Sequence, residues 1–241
     1  MAHALGIERS ALLLDLDRPA PAAFTQFAER RARQEPVAYI TGVRGFWTID
    51  LEVVPGVLIP RADSETLIEA AAAHFGSRAP ARVLDLGTGS GALLLAALDQ
   101  WPGATGVGVD QSEAALAIAR ENAERLGMAA RARIIRGGWD GTGERYDLIL
   151  CNPPYIAKSE ALPDEVVRYE PASALFAGAD GLDDYRRIAP LLPGQLAPGG
   201  AAILEIGSTQ AEAVTALLRA AGLTVALRRD LAGRPRALVA T

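Results

Sequence analysis

Residues 83–91 read Val-Leu-Asp-Leu-Gly-Thr-Gly-Ser-Gly, and the helix-forming run Ala92 to Leu98 follows them. Glycine admits positive φ and has no Cβ, so a ligand can approach the backbone closely, while the start of the helix offers free N–H groups. The spacing differs from the dinucleotide-binding pattern, and the Lys-Ser/Thr ending of a phosphate-binding loop is missing. The stretch therefore predicts a strand-to-helix turn at a binding site and disfavours a phosphate ligand. A tight turn without any ligand is the alternative.

From Arg82 onward, short apolar runs alternate with helix-length segments. This alternation is typical of a parallel sheet that is covered by helices on both faces. The predicted strands are Arg82–Leu86, Gly106–Asp110, Ala132–Arg136, Tyr146–Asn152, Ala201–Ile206, Leu223–Arg229 and Arg236–Ala240. The fold class is therefore α/β, with a seven-stranded doubly wound sheet, and residues 61–241 are predicted to form the main domain.

Two smaller units are predicted upstream of this domain. Residues 1–34 form a short N-terminal helical segment, with an Ala- and Arg-rich helix over 24–33. Residues 35–60 change to β-branched and aromatic side chains interrupted by glycine and proline. This change predicts a β-hairpin linker, with strand-forming runs at 37–41 and 46–54.

The first helix of the main domain is predicted over 61–75. Asp63 or Ser64 is the expected cap, because a short oxygen-bearing side chain accepts hydrogen bonds from the free N–H groups at a helix start. Glu65 follows in the first turn, where negative charge is favoured. An ion pair between Arg61 and Glu65 would order the linker, but a solvated helix start explains both residues, and we favour that simpler interpretation.

Two residues after the glycines point to a nucleoside ligand. Asp110 ends the next strand about twenty residues later, where an acidic side chain in a doubly wound fold reaches ribose hydroxyls. Capping the helix predicted over 112–126 is the alternative role for Asp110. Trp139 follows the third strand, and its flat indole offers a contact face to an adenine, although a packing role is the alternative.

The fourth strand ends in Asn152-Pro153-Pro154-Tyr155, at the sheet edge where open α/β folds bind ligands. Two successive prolines fix φ and remove backbone donors, which leaves carbonyl oxygens as acceptors in a stiff loop. The Asn152 amide adds a further acceptor, so the loop is suited to a planar NH₂ group. A proline-stiffened loop without function is the alternative.

Hydrogen bonds of this kind help methyl transfer to an amide or exocyclic amine. Such a nitrogen is a poor nucleophile because its lone pair is delocalised, and hydrogen bonds to Asn152 and Pro153 would localise the pair and aim it. Tyr155 is predicted to pack against the reacting group and the cationic sulfonium of a methyl donor. With only His3 and His74 in the chain, a histidine base is not expected.

Net charge, cysteine count and the length of apolar runs argue against several other classes of protein. The net charge of −5 argues against a protein that binds nucleic acid mainly through its phosphates, so direct nucleic-acid binding is not expected. Cys151 is the single cysteine, which excludes an internal disulfide or a multi-cysteine zinc site, and no metal is predicted. Residues 1–10 show no signal pattern, and no apolar run reaches the length of a membrane span. A cytoplasmic location is expected.

The chain resembles the Rossmann-like methyltransferases that use S-adenosylmethionine (SAM), and within them the HemK/PrmC family, which methylates the glutamine of the Gly-Gly-Gln motif in peptide chain release factors. The resemblance covers nearly everything from Glu35 onward. It rests on Pro-Val-Ala-Tyr-Ile-Thr-Gly at 36–42, Leu-Ile-Pro-Arg-Ala-Asp-Ser-Glu at 58–65, the segment 85–91, Asn-Pro-Pro-Tyr-Ile at 152–156, Tyr-Glu-Pro at 169–171 and Ala-Leu-Phe-Ala-Gly-Ala-Asp-Gly-Leu at 174–182.

This resemblance implies a mostly parallel sheet that ends in an antiparallel hairpin, and it implies a role for each motif. SAM, with S-adenosylhomocysteine as product, is expected to contact Gly87, Thr88, Gly89, Ser90, Gly91, Asp110, Trp139 and Asn152. The substrate glutamine is expected to contact Asn152, Pro153, Pro154 and Tyr155, of which Asn152, Pro153 and Tyr155 serve catalysis. The family carries a longer N-terminal helical domain that helps to dock the release factor, whereas fewer than forty residues precede the linker here.

Three other functions are compatible with parts of this pattern. A methyltransferase for the adenine amine of DNA or RNA uses a similar loop, but a basic track is missing. A glutamine methyltransferase that acts on a ribosomal protein fits the loop equally well and ranks second. A nucleoside-binding protein without catalysis would leave the Asn152 loop without a role.

Overall fold

A computed structural model describes residues 1–15 and 17–241. The helices are α1 (Ala2–Leu5), α2 (Arg9–Leu13), α3 (Ala22–Ala32), α4 (Val37–Thr41), α5 (Glu65–Phe75), α6 (Ala92–Gln100), α7 (Glu113–Arg125), α8 (Asp164–Tyr169), α9 (Asp183–Ile188), α10 (Leu192–Gln195) and α11 (Ala211–Ala220). The strands are β1 (Val43–Phe46), β2 (Ile49–Glu52), β3 (Arg82–Leu86), β4 (Thr105–Asp110), β5 (Ala132–Arg136), β6 (Tyr146–Cys151), β7 (Leu196–Glu205), β8 (Val225–Arg229) and β9 (Pro235–Ala240). None of the helices in these ranges has the length and apolar character needed to cross a membrane.

Seven strands form one sheet in the order β5-β4-β3-β6-β7-β9-β8. The first five are parallel, and β9 runs antiparallel to both β7 and β8. The predicted α/β fold with a mostly parallel seven-stranded sheet is thereby confirmed. The chain reverses its direction of winding beside β3, so the carboxyl ends of β3, β4 and β6 meet at the crevice where such sheets bind ligands.

Side chains from alternate strand positions form two cores, one on each face of the sheet. The first core takes Val83 and Leu148 from the strands and packs them against α5, α6 and α7. The second takes Leu84 and Ile149 and packs them against α9, α10 and α11. Neighbouring residues of a strand thus serve opposite faces, and both faces are apolar because both are covered by helices.

Residues 37–41 form helix α4, so the prediction of a strand there was wrong. Pro36 lies at the N-cap with φ −57°, and Gly42 ends the helix with φ 74° in the left-handed region, so the flanking residues start and stop a single turn. Tyr39 and its neighbours are buried against Val53 and Ile59. Packing on this one face outweighs the strand preference of the β-branched residues.

The β-hairpin does form, but its strands are not the predicted runs 37–41 and 46–54, because the hairpin turn falls inside the second run. Its strands β1 and β2 are joined by Trp47 and Thr48, and Trp47 has φ 55°. Phe46 and other hairpin residues are buried in the first core. Asn122 of α7 also holds the hairpin, since its Nδ2 donates to the Glu52 carbonyl over 3.0 Å and its Oδ1 accepts the Glu52 N–H over 2.7 Å.

Helix α5 begins after a 3₁₀ turn over Ala62–Ser64, and no side chain caps it. Ser64 occupies the cap position with φ −69° and ψ −16°, whereas a capping side chain usually requires extended backbone. Asp63 forms an ion pair with Arg236 over 2.8 Å. The expectation that Asp63 or Ser64 caps the helix was therefore wrong, and both side chains make long-range contacts.

Candidate active site

A cavity of about 360 Å³ opens at the carboxyl ends of β3, β4 and β6. Six residues singled out from the sequence line it: Gly87, Gly89, Asp110, Trp139, Asn152 and Pro154. Five others lie next to these but outside the lining: Thr88, Ser90, Gly91, Pro153 and Tyr155. The fold thus brings the glycine turn, the acidic strand end and the Asn-Pro-Pro-Tyr loop together around one space.

The glycine turn needs its glycines because of its backbone. Gly87, Gly89 and Gly91 have φ of 74°, 55° and 86°, all in the left-handed region. Gly91 is the N-cap of α6. The N–H groups of Gly87 and Thr88 both donate to the Val109 carbonyl over 2.9 Å, so the turn is fixed to the end of β4.

Asp110 fastens the same turn through its carboxylate. Its Oδ2 accepts the Gly89 N–H and its Oδ1 accepts the Ser112 N–H, each over 2.9 Å. The cap of α7 is Ser112, whose Oγ accepts the Ala115 N–H, so Asp110 is not the cap. A carboxylate has about four lone-pair sites, so Asp110 keeps acceptor capacity toward the cavity.

Trp139 packs against the first glycine of the same turn. A Cβ at Gly87 would lie 3.3 Å from the indole ring, so the ring packs directly on the turn. Its Nε1 donates to Asp184 over 3.0 Å, and Gln195 donates to its backbone carbonyl over 2.9 Å. These bonds hold the indole at the cavity wall in one orientation.

Asn152 directly follows β6, and a hydrogen bond orients its side-chain amide. Its Nδ2 donates to Ser64 Oγ over 3.2 Å, while its Oδ1 accepts no hydrogen bond from residues 1–15 and 17–241 and lies in a residue that lines the cavity. Ser64 is buried at the start of α5, 88 residues away in sequence. The structure thus places a free amide oxygen where the stiff loop begins.

Tyr155 turns away from the cavity and into the protein. Its hydroxyl donates to Glu205 Oε1 over 3.1 Å, and Gln210 donates to its backbone carbonyl over 2.8 Å. Burial, with the nearby negative charge of Glu205, raises the pKa of Tyr155 well above its ordinary value. The phenol therefore stays protonated at neutral pH and cannot serve as a general base.

Burial likewise raises the pKa of Glu205, although Ser64, Arg236 and Tyr155 act in the opposite direction. Neither histidine supplies a base at this place, since His3 and His74 pack on Phe27 and Phe75 and are absent from the cavity lining. We therefore expect the side chains around the Asn152 loop to bind and orient a substrate rather than to accept a proton from it.

Several lining residues were not predicted from the sequence. They are Gly56, Val57, Leu58, Gln111, Ser112, Ala115, Gly137, Gly138, Pro171, Ser173, Ala174, Asp184 and Arg187.

Glu170 connects two segments of the cavity lining, 56–58 and 171–174. Its buried carboxylate accepts the Ile59 N–H and forms an ion pair with Arg61. Glu65 instead accepts the Trp47 N–H, so the Arg61–Glu65 pair considered above does not form. Arg61 and Glu170 both lie in the sequence motifs at 58–65 and 169–171, but neither motif shows that these two residues pair with each other.

Asp85 lies beneath the glycine turn and was also missed as a functional candidate. It is 1% exposed, and its Oδ2 accepts the Thr88 hydroxyl over 2.6 Å and the Leu94 N–H over 3.2 Å. Its Oδ1 has no hydrogen-bond partner in residues 1–15 and 17–241. Burial raises the pKa of Asp85 to about 7, with a further rise from Asp110 and opposing effects of Thr88 and Leu94.

This shift makes stability depend on pH. The folded protein keeps the Asp85 proton up to about pH 7, whereas the unfolded chain releases it near the ordinary pKa of 3.8. The contribution of Asp85 to stability is therefore greatest below that ordinary pKa and falls as the pH rises to about 7. Asp85→Asn removes the titration and keeps an acceptor for Leu94, so we expect it to raise the melting temperature at pH 8 by at least about 2 °C.

Thermal unfolding from pH 5 to pH 8 checks this expectation. The wild type should lose stability relative to Asp85→Asn as the pH rises. Asp147→Asn is the matched control, because Asp147 accepts the N–H groups of Ala81 and Arg82 at the opposite end of the sheet. A constant difference between wild type and Asp85→Asn across this range contradicts the assignment.

Comparison with known proteins agrees with this site. The family model of the Methyltransferase small domain matches residues 62–174, and that of the PrmC N-terminal domain matches residues 1–42. The second match runs past the predicted boundary at residue 34 and includes α4. A methyltransferase structure from Pyrococcus furiosus aligns with a TM-score of 0.61 at 16% identity, covering 90% of this chain and 98% of that one, and supports the fold.

Two relatives show the family. A release factor glutamine methyltransferase from Bordetella pertussis is 48% identical over 243 residues, covering 97% of this chain and 89% of that protein. Another from Rhodospirillum rubrum is 44% identical over 246 aligned positions, covering 99% of this chain and 75% of that protein. On this identity over nearly its whole length, the chain belongs to the family of release factor glutamine methyltransferases.

Proposed function

We propose that this chain transfers the methyl group of SAM to the side-chain amide nitrogen (N5) of the glutamine in the Gly-Gly-Gln motif of peptide chain release factors. The observation that carries the proposal is the Asn152 amide at the cavity: its nitrogen donates to Ser64, and its oxygen accepts no hydrogen bond within the described ranges 1–15 and 17–241. This acceptor adjoins two prolines without N–H groups and faces the same space as Gly87 and Asp110.

SAM is the methyl donor, and the residues of the cavity suit it. Gly87 and Gly89 let a ligand approach the backbone, Asp110 keeps acceptor capacity for ribose hydroxyls, and Trp139 offers a flat face to an adenine. When bound, SAM supplies an electrophilic methyl group on a sulfonium. We propose Gly87, Thr88, Gly89, Ser90, Gly91, Asp110, Trp139 and Asn152 as the residues that form its site. Thr88, Ser90 and Gly91 lie outside the cavity lining and contribute by fixing the conformation of the glycine turn.

Amide binding in this loop explains the chemistry. The Asn152 Oδ1 and the backbone carbonyls of Asn152 and Pro153 would accept the two N–H groups of the glutamine side chain, with Pro154 at the cavity wall beside them. Accepting both hydrogens favours a geometry in which the nitrogen lone pair is less delocalised and points in one direction. Tyr155 supports the loop through Glu205 and Gln210. After transfer, the nitrogen gives its extra proton to water.

The proposed partner is the release factor, and the family membership supports it. We expect no direct binding of nucleic acid, because the net charge is −5 and phosphate contacts need an excess of cations. A reducing compartment such as the cytoplasm is the proposed location.

Methyl transfer from labelled SAM tests the proposal. The purified chain is incubated with a release factor, with the same factor carrying alanine in place of the Gly-Gly-Gln glutamine, and with adenine-containing DNA. We expect label on the intact factor alone. Label on DNA overturns the proposal in favour of adenine, and label that ignores the glutamine change points to another protein site.

A further inference from the structure

The hairpin that joins β8 to β9 carries a local excess of positive charge. Residues 227–236 read Leu-Arg-Arg-Asp-Leu-Ala-Gly-Arg-Pro-Arg, with four arginines and one aspartate, in a chain whose net charge is −5. Arg228, Arg229 and Arg234 are exposed, and none of them pairs with a carboxylate among residues 1–15 and 17–241. Residues 228–234 are called the basic tip below.

The carboxylate of the basic tip is directed into the hairpin. Asp230 Oδ1 accepts the N–H groups of Ala232 and Arg234 over 3.0 and 2.9 Å, and its Oδ2 lies 3.4 Å from the Arg236 guanidinium. Asp230 therefore shapes the turn and pairs with a buried arginine, whereas the three other guanidinium groups face solvent. Leu231, at the end of the hairpin, is fully exposed between them.

The basic tip lies at the same edge of the sheet as the Asn152 loop. Strand β9 is antiparallel to both β7 and β8, so β8 runs parallel to β6, and Arg229 and Asn152 both lie at carboxyl ends. Two strands separate β6 from β8, which places the tip roughly 14 Å from the loop at about 4.8 Å per strand. The cavity lies on the other side of the loop, at β3 and β4.

A series of side-chain contacts connects the basic tip to the loop. Arg236, which pairs with Asp230, also pairs with Asp63 over 2.8 Å. The next residue, Ser64, accepts the hydrogen bond from Asn152 over 3.2 Å. These contacts hold the tip at a defined distance from the residue that is proposed to bind the substrate amide.

We propose that the basic tip is a docking surface for an acidic segment of the protein substrate; this rests on the proposed function. A standard interface covers about 800 Å² of each partner, a disc of roughly 16 Å radius, so an interface centred on the loop reaches the tip. Charges at the rim of an interface steer the encounter and fix its register. The exposed Leu231 favours a protein surface over a nucleic acid, because phosphate contacts gain nothing from an apolar side chain.

Methylation kinetics with the double variant Arg229→Gln/Arg234→Gln test the proposal. We expect the KM for the release factor to rise about fivefold, because two charge contacts at the rim are lost. The kcat and the Kd for SAM should stay within about twofold, since neither arginine lines the cavity. Added salt should raise the KM of the wild type more than that of the variant. Arg229→Lys/Arg234→Lys keeps both charges and should retain a KM within about twofold of the wild type.

The matched control is Arg133→Gln/Arg219→Gln, which removes the same charge from exposed side chains near the opposite edge of the sheet. Arg133 lies near the start of β5, and Arg219 lies near the end of α11, before β8 begins. This control should leave the KM for the release factor within about twofold of the wild type. Equal KM values for the Gln variant of the tip and this control overturn the proposal. So does a Lys variant that is as impaired as the Gln variant, because the effect then does not depend on charge.

A titration followed by NMR tests the basic tip without methyl transfer. A short polyglutamate peptide and an oligothymidylate of equal charge are added separately to the ¹⁵N-labelled chain. We expect polyglutamate to shift the backbone amide signals of Arg229, Leu231 and Gly233, and we expect the Gln variant to lose this response. Tighter binding of the oligothymidylate overturns the proposal in favour of a nucleic acid, and unchanged signals with both probes show that the tip is a solvated turn.

The kinetics and the titration separate this proposal from the proposed function. A wild-type chain that methylates no release factor refutes the proposed function, while the titration still decides what the basic tip binds. A wild-type chain that methylates the release factor, with a KM that the Gln variant leaves unchanged, refutes the docking role alone.

Discussion

Replacing Asn152 with alanine is expected to lower kcat for release-factor methylation by about two to three orders of magnitude. The change removes the amide oxygen at the cavity, and the remaining acceptors are backbone carbonyls that cannot reorient around the substrate. The Kd for SAM should change less than about threefold, because the glycine turn and Asp110 stay in place. Single-turnover methylation and calorimetric titration with SAM measure the two quantities.

The matched variant is Asn152→Asp, which keeps an acceptor oxygen but cannot donate to Ser64. It is expected to be more active than the alanine variant and less active than the wild type. Retained turnover in Asn152→Ala would mean that the Asn-Pro-Pro-Tyr loop does not hold the substrate amide. Turnover and SAM affinity that fall together would instead make Asn152 mainly a contact to the donor.

Local sequence predicts the sheet well because its strands are buried on both faces. Continuous apolar runs such as 148–151, which Asn152 and Pro153 follow, leave little choice of structure. Prediction was weakest where tertiary contacts outweigh local preference, as in α4. Strand β7 shows this too: it begins at Leu196, five residues before the predicted start at Ala201, and includes Gly199 with φ 76°. Its pairing with β6 shifts register there, which no local pattern reveals.

The candidate site was likewise predicted only in part: its lining residues were recognised from the sequence, and the residues that support them were not. The residues that line the cavity lie in motifs whose composition limits their chemistry, such as glycines after a strand and prolines after an asparagine. The residues that hold them are far away in sequence: Ser64 is 88 positions from Asn152, and Glu205 is 50 from Tyr155. A serine at a helix start and a glutamate at a strand end have common structural roles, so their contacts became visible only in the folded chain.

The second large effect is expected for Asp110→Ala. The carboxylate holds the Gly89 N–H and retains lone pairs toward the cavity, so its loss both releases the turn and removes the proposed partner of the ribose hydroxyls. Hydrogen bonds to a charged group contribute about 1.5–3 kcal/mol each, so losing one or two of them should raise the Kd for SAM about a hundredfold.

Titration with SAM and with S-adenosylhomocysteine measures this effect without a methyl acceptor. Glu113→Ala is the control, because it removes the same charge three residues further on from an exposed side chain whose only ion pair among residues 1–15 and 17–241 is to Arg136. It should leave the Kd within about twofold of the wild type. An Asp110→Ala variant that binds both ligands as tightly as the control would show that the carboxylate serves only the turn. The ribose would then bind elsewhere in the cavity, with Gln111 the nearest polar side chain in sequence among the lining residues.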